Sequence, residues 1–78
     1  MTLYSHRYAL LRDELIRLRT EAGLTQRMLC DKIKKSQSFV SKVENGERYL
    51  DIIDFIDWTK AIKADPAVLI QRIASVKG

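Results

Sequence analysis

The feature that most constrains the fold is the stretch from Thr25 to Gly46, which suits two short helices joined by a tight turn. Thr25 and Ser36 carry hydroxyls that can accept hydrogen bonds from the free amides of a first helical turn, so each is predicted to precede a helix. Apolar residues recur at helical spacing in both helices: Leu29 and Ile33 in the first, and Phe39, Val40 and Val43 in the second. Because helices of about eight residues are unstable alone in water, their apolar faces must share a core with the rest of the chain.

The opposite face of the second helix is polar. Its side chains are amides, hydroxyls and one cation: Gln37, Ser38, Ser41, Lys42 and Asn45. Side chains of these types read base edges and hold phosphates. This face therefore favours contact with a nucleic acid.

The same stretch resembles the helix-turn-helix of the phage-repressor and Cro-like (XRE) family of DNA-binding regulators. The resemblance rests on Gly23-Leu24-Thr25-Gln26, on Leu29-Cys30, on Ser36-Gln37-Ser38 and on Val40-Ser41-Lys42-Val43-Glu44-Asn45-Gly46, and it extends over about Leu11 to Ile73. It implies an all-α fold, a five-helix lambda-repressor-like bundle.

Three positions depart from the family's pattern. Lys34 stands where the turn usually has glycine, and an L-residue in the left-handed region costs on the order of 1 kcal/mol. Lys35 replaces a usual aliphatic residue. Met28 replaces a frequent glutamate, so the reciprocal capping box is missing.

The segments around the helix-turn-helix are predicted to be helical. A first helix should run from a cap at Ser5 to about Ala22, after an arm at Met1 to Tyr4, and stop at Gly23. Its core face should comprise Tyr8, Leu11, Leu15, Leu18 and Ala22, with Arg12, Arg17 and Arg19 elsewhere on its surface. Asn45-Gly46 could signal a hairpin, but the flanking residues lack alternation, and a helix ending there is favoured.

Two more helices are predicted after the motif. A fourth should follow a cap at Asp51 and reach about Ile62, and Trp58 on it is expected to be a core or interface anchor rather than a base-stacking residue. A fifth should start at Asp65-Pro66, since proline suits the first helical position, and reach about Val76.

Composition agrees with one small domain over residues 1–78, with its core at about 5–76. The chain is 46% hydrophobic and 31% charged, without an apolar run as long as a spanning helix or a signal peptide. We expect a soluble cytoplasmic protein. The net charge is +4, and all the excess lies in residues 1–48, which carry ten Lys or Arg against six Asp or Glu. Positive charge on the half with the motif favours a nucleic-acid partner.

Catalytic chemistry is not indicated. The single cysteine, Cys30, has no partner for a disulfide or a metal site, and it suggests either buried packing or a redox switch. The single histidine, His6, stands apart from any nucleophile. No glycine-rich phosphate loop, catalytic carboxylate pair or nucleophile–base pair occurs. We therefore expect neither an enzyme nor a cofactor or small-molecule ligand.

The resemblance implies a sequence-specific, double-stranded DNA-binding transcriptional regulator, here expected to be a repressor on a near-palindromic operator. The second motif helix would lie in the major groove. Base contacts are predicted for Gln37, Ser38 and Ser41. Phosphate contacts are predicted for Gln26, Lys34, Lys35, Lys42, Asn45 and Arg48.

Two alternatives stay open at this point. The fifth helix has more apolar residues than one face needs, which predicts a homodimer through Leu69, Ile70, Ile73 and Phe55, unless that helix only closes its own domain. The motif could also serve as a protein-interaction module, such as the antitoxin-type partner of another protein, although such a surface would be expected to carry aromatic or aliphatic anchors. Neither the operator sequence nor the choice between repression and activation follows from the sequence.

Overall fold

The computed structural model describes residues 5–76, which form five α-helices and no strand. The helices are α1 (His6–Glu21), α2 (Gln26–Ile33), α3 (Gln37–Glu44), α4 (Ile52–Ala61) and α5 (Pro66–Ala74). This confirms the all-α, five-helix fold. The arm predicted at Met1 to Tyr4 lies outside the described residues.

Each helix begins after a residue whose side chain accepts a hydrogen bond from a first-turn amide. The five caps are the predicted ones: Ser5, Thr25, Ser36, Asp51 and Asp65. The predicted C-terminal ends differ from the observed ones by only one or two residues. For example, α5 ends at Ala74 rather than near Val76. Short-range capping chemistry thus sets most element boundaries.

Four helices are followed by a residue in the left-handed region. Gly23 (φ 76°) follows α1 and Gly46 (φ 79°) follows α3, as the sequence predicts. Lys34 (φ 59°) follows α2, and Lys63 (φ 58°) follows the last turn of α4. The conformation of Lys63 was not predicted, because no glycine or asparagine marks that helix end.

One hydrophobic core joins all five helices. Its buried members are Leu15, Leu29, Cys30, Ile33, Phe39, Val40, Val43, Phe55, Trp58, Ile62 and Leu69. Cys30 is 5% exposed and Trp58 is fully buried, which fits the packing interpretation of both. The expectation that Ala22 faces the core is wrong: it is exposed at the C-terminal cap of α1, beyond the last residue packed against the core.

An ion pair between Glu14 and Arg72 connects α1 to α5. The carboxylate of Glu14 accepts a hydrogen bond from Arg17 Nε at 2.8 Å and pairs with Arg72 of α5. Hydrogen bonds from Arg72 and then Arg17 hold the pKa of Glu14 below its ordinary value. Glu14 therefore stays ionised, and the contact persists, at neutral pH.

None of the helices in residues 5–76 has the length and apolar character that crossing a membrane requires.

The left-handed backbone conformation of Lys34 leads to a prediction about stability. Lys34→Gly should raise the free energy of unfolding by about 0.5–1 kcal/mol, because glycine adopts φ 59° without a steric penalty. Chemical denaturation measures the change. Lys32→Gly is the matched control, since Lys32 is an exposed helical residue in the same short element, and glycine there should cost about 1 kcal/mol. Destabilisation by both variants would contradict the account.

Candidate nucleic-acid interface

The α2–α3 turn is closed by backbone hydrogen bonds in spite of its lysines. The amides of Lys34 and Lys35 both donate to the carbonyl oxygen of Cys30, the latter at 3.0 Å. Ser36 then accepts a hydrogen bond from the Phe39 amide at 3.0 Å and starts α3. The turn therefore has the expected form, with lysine in the left-handed position that the family usually gives to glycine.

A buried ion pair holds α1 against α3. Arg19 Nε donates to Glu44 Oε2 at 2.6 Å, and Arg19 Nη2 donates to Glu44 Oε1 at 3.0 Å. The third nitrogen, Arg19 Nη1, donates to the Leu24 carbonyl at 2.7 Å. Gln26 Nε2 of α2 donates to Glu44 Oε1 at 2.9 Å. One carboxylate, whose side chain is only 4% exposed, thus joins three helices.

The sequence-based placement of Arg19 on the outer surface of α1 is wrong. Its side chain is only 13% exposed, because it reaches across to Glu44. The sequence contained a usable signal: Glu44 lies four residues after Val40 and next to Val43, on the apolar stripe of α3. A carboxylate in such a stripe needs a cationic partner.

The polar face of α3 presents free polar groups to solvent. Gln37, Ser38 and Lys42 are exposed, and none of their side chains has a hydrogen-bond or ion-pair partner within residues 5–76. Ser41 is half-buried and accepts a weak hydrogen bond from Asn45 Nδ2 at 3.4 Å. Four of the five side chains predicted for this face therefore lie on α3 and Asn45 is its C-terminal cap, and three of the five are uncommitted.

The candidate phosphate contacts differ in how they are restrained. Lys35 Nζ lies 3.4 Å from Asp54 Oδ1 and 5.3 Å from the ring centroid of Phe39. The Arg48 guanidinium carbon lies 4.8 Å from the same centroid. Two cations thus gather around Phe39 in the first turn of α3. Gln26 donates one of its two amide hydrogens to Glu44 and is half-buried.

Of the four residues predicted for a dimer interface, two are buried in the chain's own core and two are at least partly exposed. Leu69 and Phe55 are 3% and 6% exposed and belong to the chain's own core, because α5 packs against α1 and α4. Ile70 is 48% exposed, and Ile73 is half-buried. An apolar groove of about 400 Å³ lies beside them, lined by Arg7, Leu11, Leu50, Ile52, Phe55, Ile70, Ile73 and Ala74.

Within the described residues, no three His, Cys, Asp or Glu side chains are grouped so that they could hold a metal ion.

The Arg19–Glu44 pair gives a prediction about stability. Arg19→Ala should lower the free energy of unfolding by about 3–5 kcal/mol, because it leaves Glu44 buried without a countercharge. Urea denaturation measures the loss. Arg17→Ala is the control: Arg17 is 46% exposed, and its partner Glu14 keeps Arg72, so the cost should stay below about 1 kcal/mol. Equal losses in the free energy of unfolding would show that the buried pair contributes no more to stability than the exposed one.

Comparison with known proteins identifies the family. The chain matches the Helix-turn-helix family model (HTH_3) over residues 15–69. It is 42% identical to an XRE-family like protein from Pseudomonas syringae pv. tomato str. DC3000, with a TM-score of 0.86 over 92% of this chain and 88% of that one. A mutant of the restriction-modification controller protein C.Esp1396I shares the fold, with 23% identity and a TM-score of 0.80 over 95% of this chain and 91% of that one. No curated protein matches the chain. The chain belongs to the XRE-type helix-turn-helix family of DNA-binding transcription regulators.

Proposed function

We propose that the protein is a homodimeric repressor that binds a near-palindromic operator in the cytoplasm and excludes the transcription machinery from it. One observation carries the DNA-binding part of this proposal. The polar face of α3 exposes uncommitted amide, hydroxyl and ammonium groups, from Gln37 and Ser38 in the first turn and Lys42 in the last, on a helix that the buried Arg19–Glu44 pair holds in place. A polar helix whose backbone is already fixed suits the major groove, since only its side chains need be ordered on binding.

In this account α3 enters the major groove with Gln37 towards the bases. Gln37 would make a bidentate contact to N6 and N7 of adenine, and Ser38 and Ser41 would make single contacts with weaker base preference. The surrounding donors would fix the register on the backbone: Gln26, Lys34, Lys35, Lys42, Asn45 and Arg48. The free amides at the start of α2 would assist Gln26 at one phosphate.

The surface of α3 argues against a protein-binding role for this helix. The large hydrophobic side chains exposed within residues 5–76 are Met28, Tyr49, Ile52, Ile53, Val68 and Ile70, and none of them belongs to α3. Protein interfaces depend on aromatic and aliphatic anchors. A surface of amides, hydroxyls and a lysine is better suited to a groove of DNA.

The dimer is proposed to form through the groove between α1, α4 and α5. Ile52 and Ile70 border this groove and are 59% and 48% exposed. A two-fold contact here would cover both side chains in each subunit. It would also pair two motifs, each of which reads only a few base pairs, at a separation of about 34 Å, one turn of duplex.

Gln37→Ala tests the assignment of base contacts. It should weaken binding to the preferred site by about 1–3 kcal/mol and leave binding to unrelated duplex nearly unchanged, because a bidentate contact specifies sequence. Fluorescence anisotropy with both duplexes measures the two affinities. Lys42→Ala, on the same helix, is the matched control: it should weaken both alike and make the salt dependence shallower by about one phosphate. Equal losses on both duplexes for Gln37→Ala would remove it from the base-reading role.

Ile70→Asp tests the dimer. The wild-type chain should sediment as a dimer at micromolar concentration and the variant as a monomer, because a buried carboxylate without a partner opposes association. Val68→Asp is the control, since Val68 is 47% exposed on the same helix but does not line the groove. A wild-type monomer that binds an asymmetric site would contradict the dimer.

A further inference from the structure

The loop between α3 and α4 is held by a tyrosine of α1. The Tyr8 hydroxyl accepts a hydrogen bond from the Leu50 amide at 3.1 Å and donates one to the Arg48 carbonyl at 3.3 Å. The Tyr8 side chain is only 4% exposed, and the ring of Tyr49 packs edge-on against it with centroids 5.1 Å apart. Burial raises the pKa of Tyr8, so its hydroxyl stays protonated and able to donate.

A second residue of α1 holds the start of the same loop. Arg12 lies one turn after Tyr8, and its guanidinium covers Gly46 so closely that a Cβ at Gly46 would collide with it. The sequence placed Arg12 on the surface of α1 away from its core face; the structure shows it half-buried there, against Gly46. Residues 45–51 form no regular helix or strand, so the two hydrogen bonds of the Tyr8 hydroxyl satisfy backbone groups that have no ladder to join, and Arg12 packs against the loop at Gly46.

Arg48 belongs to this loop, and its side chain lies beside the first turn of α3. Its guanidinium rests over Phe39, 4.8 Å from the ring centroid, and Phe39 is the third residue of α3. The Phe39 ring is itself 7% exposed and fixed in the core. Arg48 is thus restrained twice, through its backbone by Tyr8 and through its guanidinium by Phe39. A cation held in this way loses less side-chain entropy when it meets a phosphate.

We propose that Tyr8 is a positioning residue for DNA binding: its hydroxyl fixes the backbone at Arg48 and Leu50, so that the Arg48 guanidinium is preset on Phe39 to receive a backbone phosphate. This inference rests on the proposed function. Tyr8 lies in α1, outside the helix-turn-helix, and acts only through Arg48. Its effect is on affinity for any duplex, since a phosphate contact carries no sequence information.

Tyr8→Phe removes the hydroxyl and keeps the ring that packs against Tyr49. The variant should bind the preferred site and unrelated duplex about three- to tenfold more weakly, as expected for the loss of hydrogen bonds that restrain a contact. Its log–log salt dependence should also become shallower, towards that of Arg48→Ala, which loses about one phosphate contact per subunit. Circular dichroism at the assay temperature establishes that each variant is folded.

Thr59→Val is the matched control for a general loss of stability. Thr59 is fully buried, and its hydroxyl donates to the Ile56 carbonyl within α4, away from the loop. Valine keeps the shape and removes the hydroxyl, so stability falls while Arg48 is undisturbed. DNA affinity and salt dependence should remain those of the wild type. Equal weakening by Thr59→Val and Tyr8→Phe would overturn the proposal, because it would assign the effect of Tyr8 to stability.

The double variant Tyr8→Phe/Arg48→Ala decides whether Tyr8 acts through Arg48. It should bind no more weakly than Arg48→Ala alone. Two losses that multiply, or a Tyr8→Phe variant with wild-type affinity, would overturn the proposal. If Arg48→Ala had no effect while Lys42→Ala weakened binding, this inference would fail and the proposed function would stand. If no variant affected binding to any duplex, both would fail.

Discussion

The buried pair of Arg19 and Glu44 is the interaction on which the rest of the structure depends. Glu44 places a carboxylate among the apolar residues of α3, and removing such a charge from water is costly. That cost is offset by two charge-assisted hydrogen bonds from Arg19 and one from Gln26. Since these donors lie on α1 and α2, the carboxylate can be satisfied only when the three helices have their native arrangement.

The same constraint fixes α3, whose polar face is the proposed DNA-binding surface. Glu44 is the last residue of that helix, and the Ser36 cap is at its start, so both ends are fixed. Between them the polar face carries no structural duty: Gln37 and Lys42 have no intramolecular partners within residues 5–76. The two faces of this short helix therefore differ in what they contribute to the fold. The side chains of the polar face, for which base contacts are proposed, can change without disturbing the core, whereas those of the opposite face cannot.

The sequence predicted the helices well because their boundaries depend on local chemistry. Hydroxyl and carboxylate caps such as Thr25 and Asp65, and the glycine stop at Gly23, act over two to four residues. The left-handed conformation of Lys63 was missed because the local sequence has no glycine or asparagine to mark that helix end.

The long-range contacts of the candidate site were harder to predict. The polar face of α3 followed from helical periodicity, and Gln37, Ser38 and Lys42 lie where expected. The pairing of Arg19 with Glu44, 25 residues away, did not, because any of several arginines of α1 could have supplied the cation. The same holds for the link from Tyr8 to Arg48, which spans 40 residues. Of the apolar residues assigned to a dimer, Leu69 was instead needed by the core, a choice that depends on how α5 docks.

Selection of bound sequences from a pool of random duplexes is the measurement that tests the central claim most directly. With the purified wild-type chain, the account predicts enrichment of one near-palindromic sequence whose two half-sites are centred about 10 base pairs apart. Such a result would show sequence-specific DNA binding and two-fold pairing in a single experiment. A pool that remained unenriched at physiological salt, where sequence-independent binding to phosphates is weakened, would contradict the claim that α3 reads DNA.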